Sequence, residues 1–215
     1  LTGIVDEVRF HFFKLRLRSR ITLKPGENVI SVQDSVENLS DSETEIQMLY
    51  HINLGPPLLG PGAQIVAPVD ALVPRNDWAA SSLTEWAKYG QPTAGKEEQV
   101  YFMTQQADSQ NKTTVLLQNA ATNRAFGVHY DTSQLPCFSL WKNETAQADG
   151  YVTGLEPATN YPNPRGFEQS QGRTVRLSAG ATCSFDLQLQ YYRGETEIAQ
   201  TVQQIEQLGR QEPTL

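Results

Sequence analysis

Two residues of this sequence are placed to move protons. His51 lies in the run Glu45 to Gly55, EIQMLYHINLG, which reads as one β-strand ending in a turn. Ile46, Met48, Tyr50, Ile52 and Leu54 fall on one face of it, and Gln47, Leu49, His51 and Asn53 fall on the other. Gly55-Pro56-Pro57 cannot continue a central strand. His51 therefore stands near a strand end, and an imidazole can act as acid or base near neutrality. Glu156 closes the apolar strand read over Tyr151 to Glu156, where a carboxylate is unexpected. Pro157 stops that strand and keeps Glu156 extended. A carboxylate held in this way can serve as a general base. The plainer alternatives are a satisfied histidine and a surface glutamate at a strand terminus.

A second group suits a polyol ligand. Trp141, Lys142 and Asn143 follow the short apolar strand Cys137 to Trp141. An aromatic face with an amide and an ammonium group nearby fits a sugar ring, although Trp141 could equally be core. Asn53 shares the His51 face, and Arg75, after Val73-Pro74, could bind an anion or be solvated. His11, among Phe10, Phe12 and Phe13, and His129, between Val128 and Tyr130, read as structural.

The elements that must position these residues are mostly strands. Phe13 to Lys24 alternates strictly, with Phe13, Leu15, Leu17, Ile21 and Leu23 opposite Lys14, Arg16, Arg18 and Arg20. Val29 to Val36 follows the turn Pro25 to Asn28, and short connections to the Glu45 strand make an antiparallel meander. Ile65 to Val73 is extended and interrupted by Pro68, and Ser81 or Ser82 caps a short helix to Tyr89. Strands resume at Gln99 to Thr104. Thr113 to Asn119 and Ala125 to Tyr130 form a hairpin, and Thr174 to Ser178 and Thr182 to Tyr191 close the sheet region. Glu195 to Leu208 carries the apolar stripe Ile198, Val202, Ile205 and Leu208 of the one convincing helix. Many short strands and one C-terminal helix indicate an all-β sandwich or barrel, one domain over residues 1–215.

Composition narrows the partners. The chain has 215 residues and a net charge of −7, against the basic patch that a nucleic-acid partner requires. No apolar run has the length of a membrane span and no amino-terminal signal pattern is visible. Cys137 and Cys183 lack metal-ligand spacing and read as two buried thiols; no metal site is expected. The Asn-x-Ser/Thr triplets at Asn38, Asn111 and Asn143 are read as chance, and a cytoplasmic location is expected. The oligomeric state is left open.

With these residues in place, the sequence resembles the aldose 1-epimerase (galactose mutarotase) family. Leu49-Tyr50-His51-Ile52-Asn53-Leu54-Gly55 resembles its histidine motif, with Tyr50 where an Asn is usual. Gly154-Leu155-Glu156-Pro157-Ala158-Thr159-Asn160-Tyr161-Pro162 resembles its glutamate motif, with Pro157 as a departure. The two departures, the Pro57-Leu58-Leu59 loop and the Leu135-Pro136…Trp141-Lys142 segment resemble a less characterised branch. The likeness runs from about Leu1 to Tyr191. It implies a large twisted antiparallel β-sandwich and a small-molecule sugar as partner, with no cofactor. It also implies His51 as general acid and Glu156 as general base in exchanging α and β anomers of a hexose. The family's second histidine lies earlier in its chain. It has no match here unless His11 is a displaced substitute, so an amino-terminal part is expected to be missing. The alternative is a carbohydrate-binding domain without catalysis.

Overall fold

The computed structural model describes residues 1–209, and residues 210–215 lie outside it. In chain order the first strands are β1 (Thr2–Arg9), β2 (Phe13–Leu23), β3 (Val29–Asn38), β4 (Thr44–Ile46), β5 (Ile52–Leu54), β6 (Ala63–Val66) and β7 (Val69–Pro74). Then come β8 (Gln99–Gln105), β9 (Lys112–Asn119), β10 (Arg124–Asp131), β11 (Cys137–Asn143), β12 (Val152–Ala158), β13 (Val175–Leu177) and β14 (Thr182–Arg193). Three helices accompany them: α1 (Asp77–Ser81), α2 (Arg165–Ser170) and α3 (Glu195–Leu208).

Seven strands form one sheet in the order β1-β2-β3-β14-β10-β9-β6, and five form another in the order β5-β12-β11-β8-β7. A two-stranded piece joins β13 to β4. The pairings are antiparallel, so the period-two pattern sends alternate side chains between the sheets. Tyr101, Met103, Phe138, Leu140 and Leu155 of the five-stranded sheet meet Val115, Leu117, Val128, Phe185 and Leu187 of the other in one core. Full burial of each such side chain stabilises by roughly 1.5–3 kcal/mol. Strand β9 is apolar on both faces because α3 covers its back, where Ile198 and Ile205 pack on Leu116, Ala125 and Tyr192. The result is a large antiparallel β-sandwich with a C-terminal helix.

The strict alternation over Phe13 to Lys24 appears as β2, and the stripe over Glu195 to Leu208 is α3. Other expectations need correction. The run from Glu45 to Gly55 is not one strand. Its ends join different sheets as β4 and β5, and the intervening backbone pairs irregularly with residues 157–159 of the chain. The proline at 157 does not end its strand either. Pro157 sits inside β12, where it forgoes one donor while its carbonyl accepts the Tyr50 N–H at 3.1 Å. The helix expected from Ser81 or Ser82 to Tyr89 is not formed: α1 precedes it, capped by Asn76, whose side chain accepts Ala79 N–H at 2.9 Å, and ends at Ser81, leaving a single 3-10 turn over Leu83–Glu85 in the expected range. Strand β1, whose sequence has no clean alternation, is an edge strand with every residue exposed. Cys137 is buried and Cys183 only half-buried; both are free thiols.

Candidate active site on the outer face of the five-stranded sheet

Strand alternation sorts the candidate residues. In β11, Phe138 and Leu140 point into the core, so Cys137, Ser139, Trp141 and Asn143 lie on the opposite, outer face. Register extends that face across the sheet. Asn53 of β5 stands opposite Gly154 of β12, Gly154 opposite Trp141, and Trp141 opposite Val100 of β8. Two residues along, Glu156 stands opposite Ser139, and Ser139 opposite Phe102. His51, just before β5, completes this second row.

His51 and Glu156, 105 positions apart in sequence, meet here. His51 Nε2 lies 3.0 Å from Glu156 Oε1. The histidine side chain is 47% exposed and the glutamate side chain 5% exposed. One partner therefore reaches solvent and the other is enclosed. Gly154 makes room for them, with nothing beyond its α-carbon between the carboxylate and the imidazole. Burial raises the Glu156 carboxyl above its ordinary value; His51 draws it back, and the charge of Glu98 adds to the rise. Tyr50 anchors the approach to His51 from two sides. Its hydroxyl donates to Asp34 Oδ2 at 2.7 Å in the seven-stranded sheet, and its N–H donates to Pro157.

The aromatic wall is Trp141. Its ring stands edge-on to His51 with centroids 5.5 Å apart. The indole Nε1 donates to Glu98 Oε2 at 2.7 Å, and Arg75 Nη1 lies 3.5 Å from Glu98 Oε1. Arg75 is held at the sheet edge by its N–H to the Val100 carbonyl at 2.9 Å. A chain of contacts thus runs Glu156, His51, Trp141, Glu98, Arg75. Asn53 is exposed on the same face. Asn143 is there too, but its side-chain amide donates to Gly150 O at 3.1 Å and is committed to a turn.

Lys142 is a correction to the sequence reading. Alternation turns it to the other face, where it is 2% exposed. Its Nζ donates to the carbonyls of Lys88 at 2.7 Å and Glu85 at 3.2 Å, and lies 4.8 Å from the centre of the Tyr89 ring. Burial pulls the Lys142 amine down to about 8. Glu144, 3.9 Å away, would be raised by burial, but hydrogen bonds from Lys96 and Gly90 hold it below the ordinary range. Lys142 pins the segment that leads to Glu98; it does not face the site.

The other histidines are elsewhere. His11 sits at the β1–β2 turn, in the other sheet, against Phe10. His129 Nδ1 is 2.8 Å from Thr114 Oγ1 and its Nε2 is 2.9 Å from the Tyr192 hydroxyl, and burial lowers its pKa. A cavity of about 940 Å³ beside α3, lined by Arg20, His129, Asp186 and Gln204 among others, contains neither His51 nor Glu156. Convergent chemistry rather than cavity size marks the candidate site: the outer face joins a buried carboxylate to a half-exposed imidazole and an aromatic wall. Sequence reasoning missed Glu98, Gly154 and Ser139. For Gly154 and Ser139 the signal is their register to Trp141 and Glu156, which only the strand pairing supplies; for Glu98, just before β8, it is the hydrogen bond from the Trp141 indole. Among the described residues, no group of three or more His, Cys, Asp or Glu is arranged to hold a metal ion. No helix among them is long and apolar enough to cross a membrane.

A family model described as a domain of unknown function, DUF4432, matches residues 1–191. No curated protein matches the chain. A Klebsiella pneumoniae protein provisionally described as an aldose 1-epimerase is 34% identical with a TM-score of 0.94, covering 97% of this chain and 54% of that one. A galactose mutarotase-like protein from Clostridium acetobutylicum aligns at 15% identity and TM-score 0.64, over 88% of this chain and 61% of that chain. A galactose 1-epimerase from Lactobacillus acidophilus NCFM aligns at 12% identity and TM-score 0.61, over 89% and 62% respectively. These last two show the fold alone. The chain spans about half the length of the Klebsiella protein.

Proposed function

The chain belongs to the DUF4432 domain family, and from that premise we propose that it forms the acid–base face of an aldose 1-epimerase. The observation that carries this reading is the contact between His51 Nε2 and the buried Glu156 Oε1, beside Trp141 on an open face. Glu156, ionised, takes the proton of the anomeric hydroxyl. Protonated His51 gives its proton to the ring oxygen as the bond from that oxygen to the anomeric carbon breaks. The carbonyl end turns over, the C5 hydroxyl attacks its other face, and both protons return. The bonds and protons balance with these two side chains alone.

The difference in burial between the two partners supports an order of events. Glu156 is enclosed and stays, and His51 is half in water and swings out. Trp141 offers its ring to the apolar face of the hexose. Arg75 and Asn53 lie at the rim, within the rows that would meet its hydroxyls.

The test is anomer exchange in the full-length protein, followed by NMR or polarimetry from a fresh α-sugar. Glu156→Gln and His51→Asn should each lower the rate by roughly 10²–10⁴-fold while sugar binding persists. Unchanged rates in both would leave a carbohydrate-binding face as the better account.

A further inference from the structure

We propose that Ser139 is a positioning residue, whose hydroxyl holds the Glu156 carboxylate once a sugar has drawn His51 away. The proposal rests on the acid–base reading above and adds a group to it.

Ser139 is fully buried, and its Oγ has no hydrogen-bond partner. Buried hydroxyls are ordinarily bonded, so an orphan of this kind calls for a reason. Its place supplies one, because the β11–β12 register sets Ser139 directly opposite Glu156. Residues so paired have β-carbons roughly 4.5–5.5 Å apart, a gap that a hydroxyl and a carboxylate can span. Among the described residues, one other side-chain donor is buried and unpartnered, Gln99 Nε2. Gln99 stands opposite Lys142 and shares its inward face, so it cannot serve.

Glu156 needs such a donor. Its close polar neighbour is His51, and no hydrogen bond from another group reaches its carboxylate among the described residues. During the reaction His51 turns to the ring oxygen. A buried carboxylate left with no donor would take up a proton and cease to be a base. Rotation of the Ser139 side chain about its Cα–Cβ bond is the movement this role requires, with the backbone kept in register. The other charged or titratable groups on or against this face are His51, Cys137, Glu98 with its partner Arg75, Asp70 bonded by Thr104 and, beyond Phe102, Tyr161 and the Arg173–Glu168 pair. Substitution of Ser139 leaves all of them in place.

The experiment is the pH–rate profile of anomer exchange in the full-length protein. Ser139→Ala should move the acidic limb to higher pH by about half a unit to one unit, with a plateau rate close to wild type. Ser139→Thr, which keeps the hydroxyl, should restore the limb. If Ser139→Ala does not fold, Ser139→Cys, a weak donor of similar shape, reads the same shift. A limb that stays put while thermal stability changes assigns Ser139 to packing and overturns the proposal. Loss of activity in Glu156→Gln together with an unmoved limb in Ser139→Ala would sink this inference alone. Full activity in Glu156→Gln would sink the acid–base reading beneath it.

Discussion

A β-carbon placed on Gly154 would stand 2.6 Å from Oε1 of Glu156 and 3.1 Å from Cε1 of His51. A real β-carbon does not approach a carboxylate oxygen that closely, so Gly154→Ala must push the base out of place. We expect anomer exchange to fall by about 10²-fold, because misplacement on this scale is costly to catalysis. The fold should lose roughly 1–3 kcal/mol from overpacking. Thermal melts and NMR exchange rates read the two effects separately. A wild-type rate would show that the carboxylate position is not critical.

Glu156→Gln should make the protein more stable at neutral pH while removing activity. Burial raises the Glu156 carboxyl, so the folded state holds its proton more tightly than the unfolded chain does. That preference favours the fold at low pH and is lost as pH rises from the ordinary carboxylate value through the raised one. Glutamine carries no charge to bury. The gain should be about 0.5–2 kcal/mol near pH 7 and vanish near pH 3. Denaturant melts at both pH values check it, and equal stability at pH 7 would contradict it.

Glu98→Gln should shift the acidic limb of the rate profile to lower pH. The Glu98 charge adds to the rise of the Glu156 carboxyl, and an amide oxygen can still accept the Trp141 indole N–H. The direction is opposite to that expected for Ser139→Ala. A limb that moves upward would show that Glu98 acts by some route other than its charge.

Lys142→Met should destabilise the chain by about 2–4 kcal/mol, because it leaves the Glu85 and Lys88 carbonyls without their donor. The pH dependence of that loss is a sharper test. Folding lowers the Lys142 amine to about 8, so between that value and roughly 10.4 the unfolded chain binds more protons. Wild-type stability should therefore rise over that window relative to Lys142→Met. Chemical denaturation from pH 7 to 10 measures the difference, and a flat difference would place the amine in a wetter setting.

Sheet architecture was legible wherever one face alternated against water, as in β2, or where a stripe recurred at helical spacing, as in α3. It was not legible where tertiary contacts override local pattern. Tyr50 packs on the core as its face suggested, but the strand is broken there, and its bond to Asp34 belongs to a passage between sheets. Pro157 looked like a stop, yet tolerates the middle of β12 because only one donor is lost. At the site, His51 and Glu156 stood out as polar groups in unlikely places. Lys142 misled because adjacency to Trp141 suggested a shared direction, when neighbours in a strand point oppositely. Glu98 and Ser139 carry no signal of their own: an exposed glutamate is ordinary until the Trp141 indole bonds it, and a strand serine until register sets it beside Glu156.

The pairing of Ile52 with Leu155 has a consequence for how the molecule comes to exist. It joins segments roughly a hundred residues apart, and contacts of such separation form slowly because the intervening chain must be gathered first. During synthesis, β5 emerges long before its neighbour β12, and His51 waits with its backbone unpaired. The contact between His51 and Glu156 has no precursor in any local hairpin. It requires the long-range docking of β5 as the edge strand beside β12.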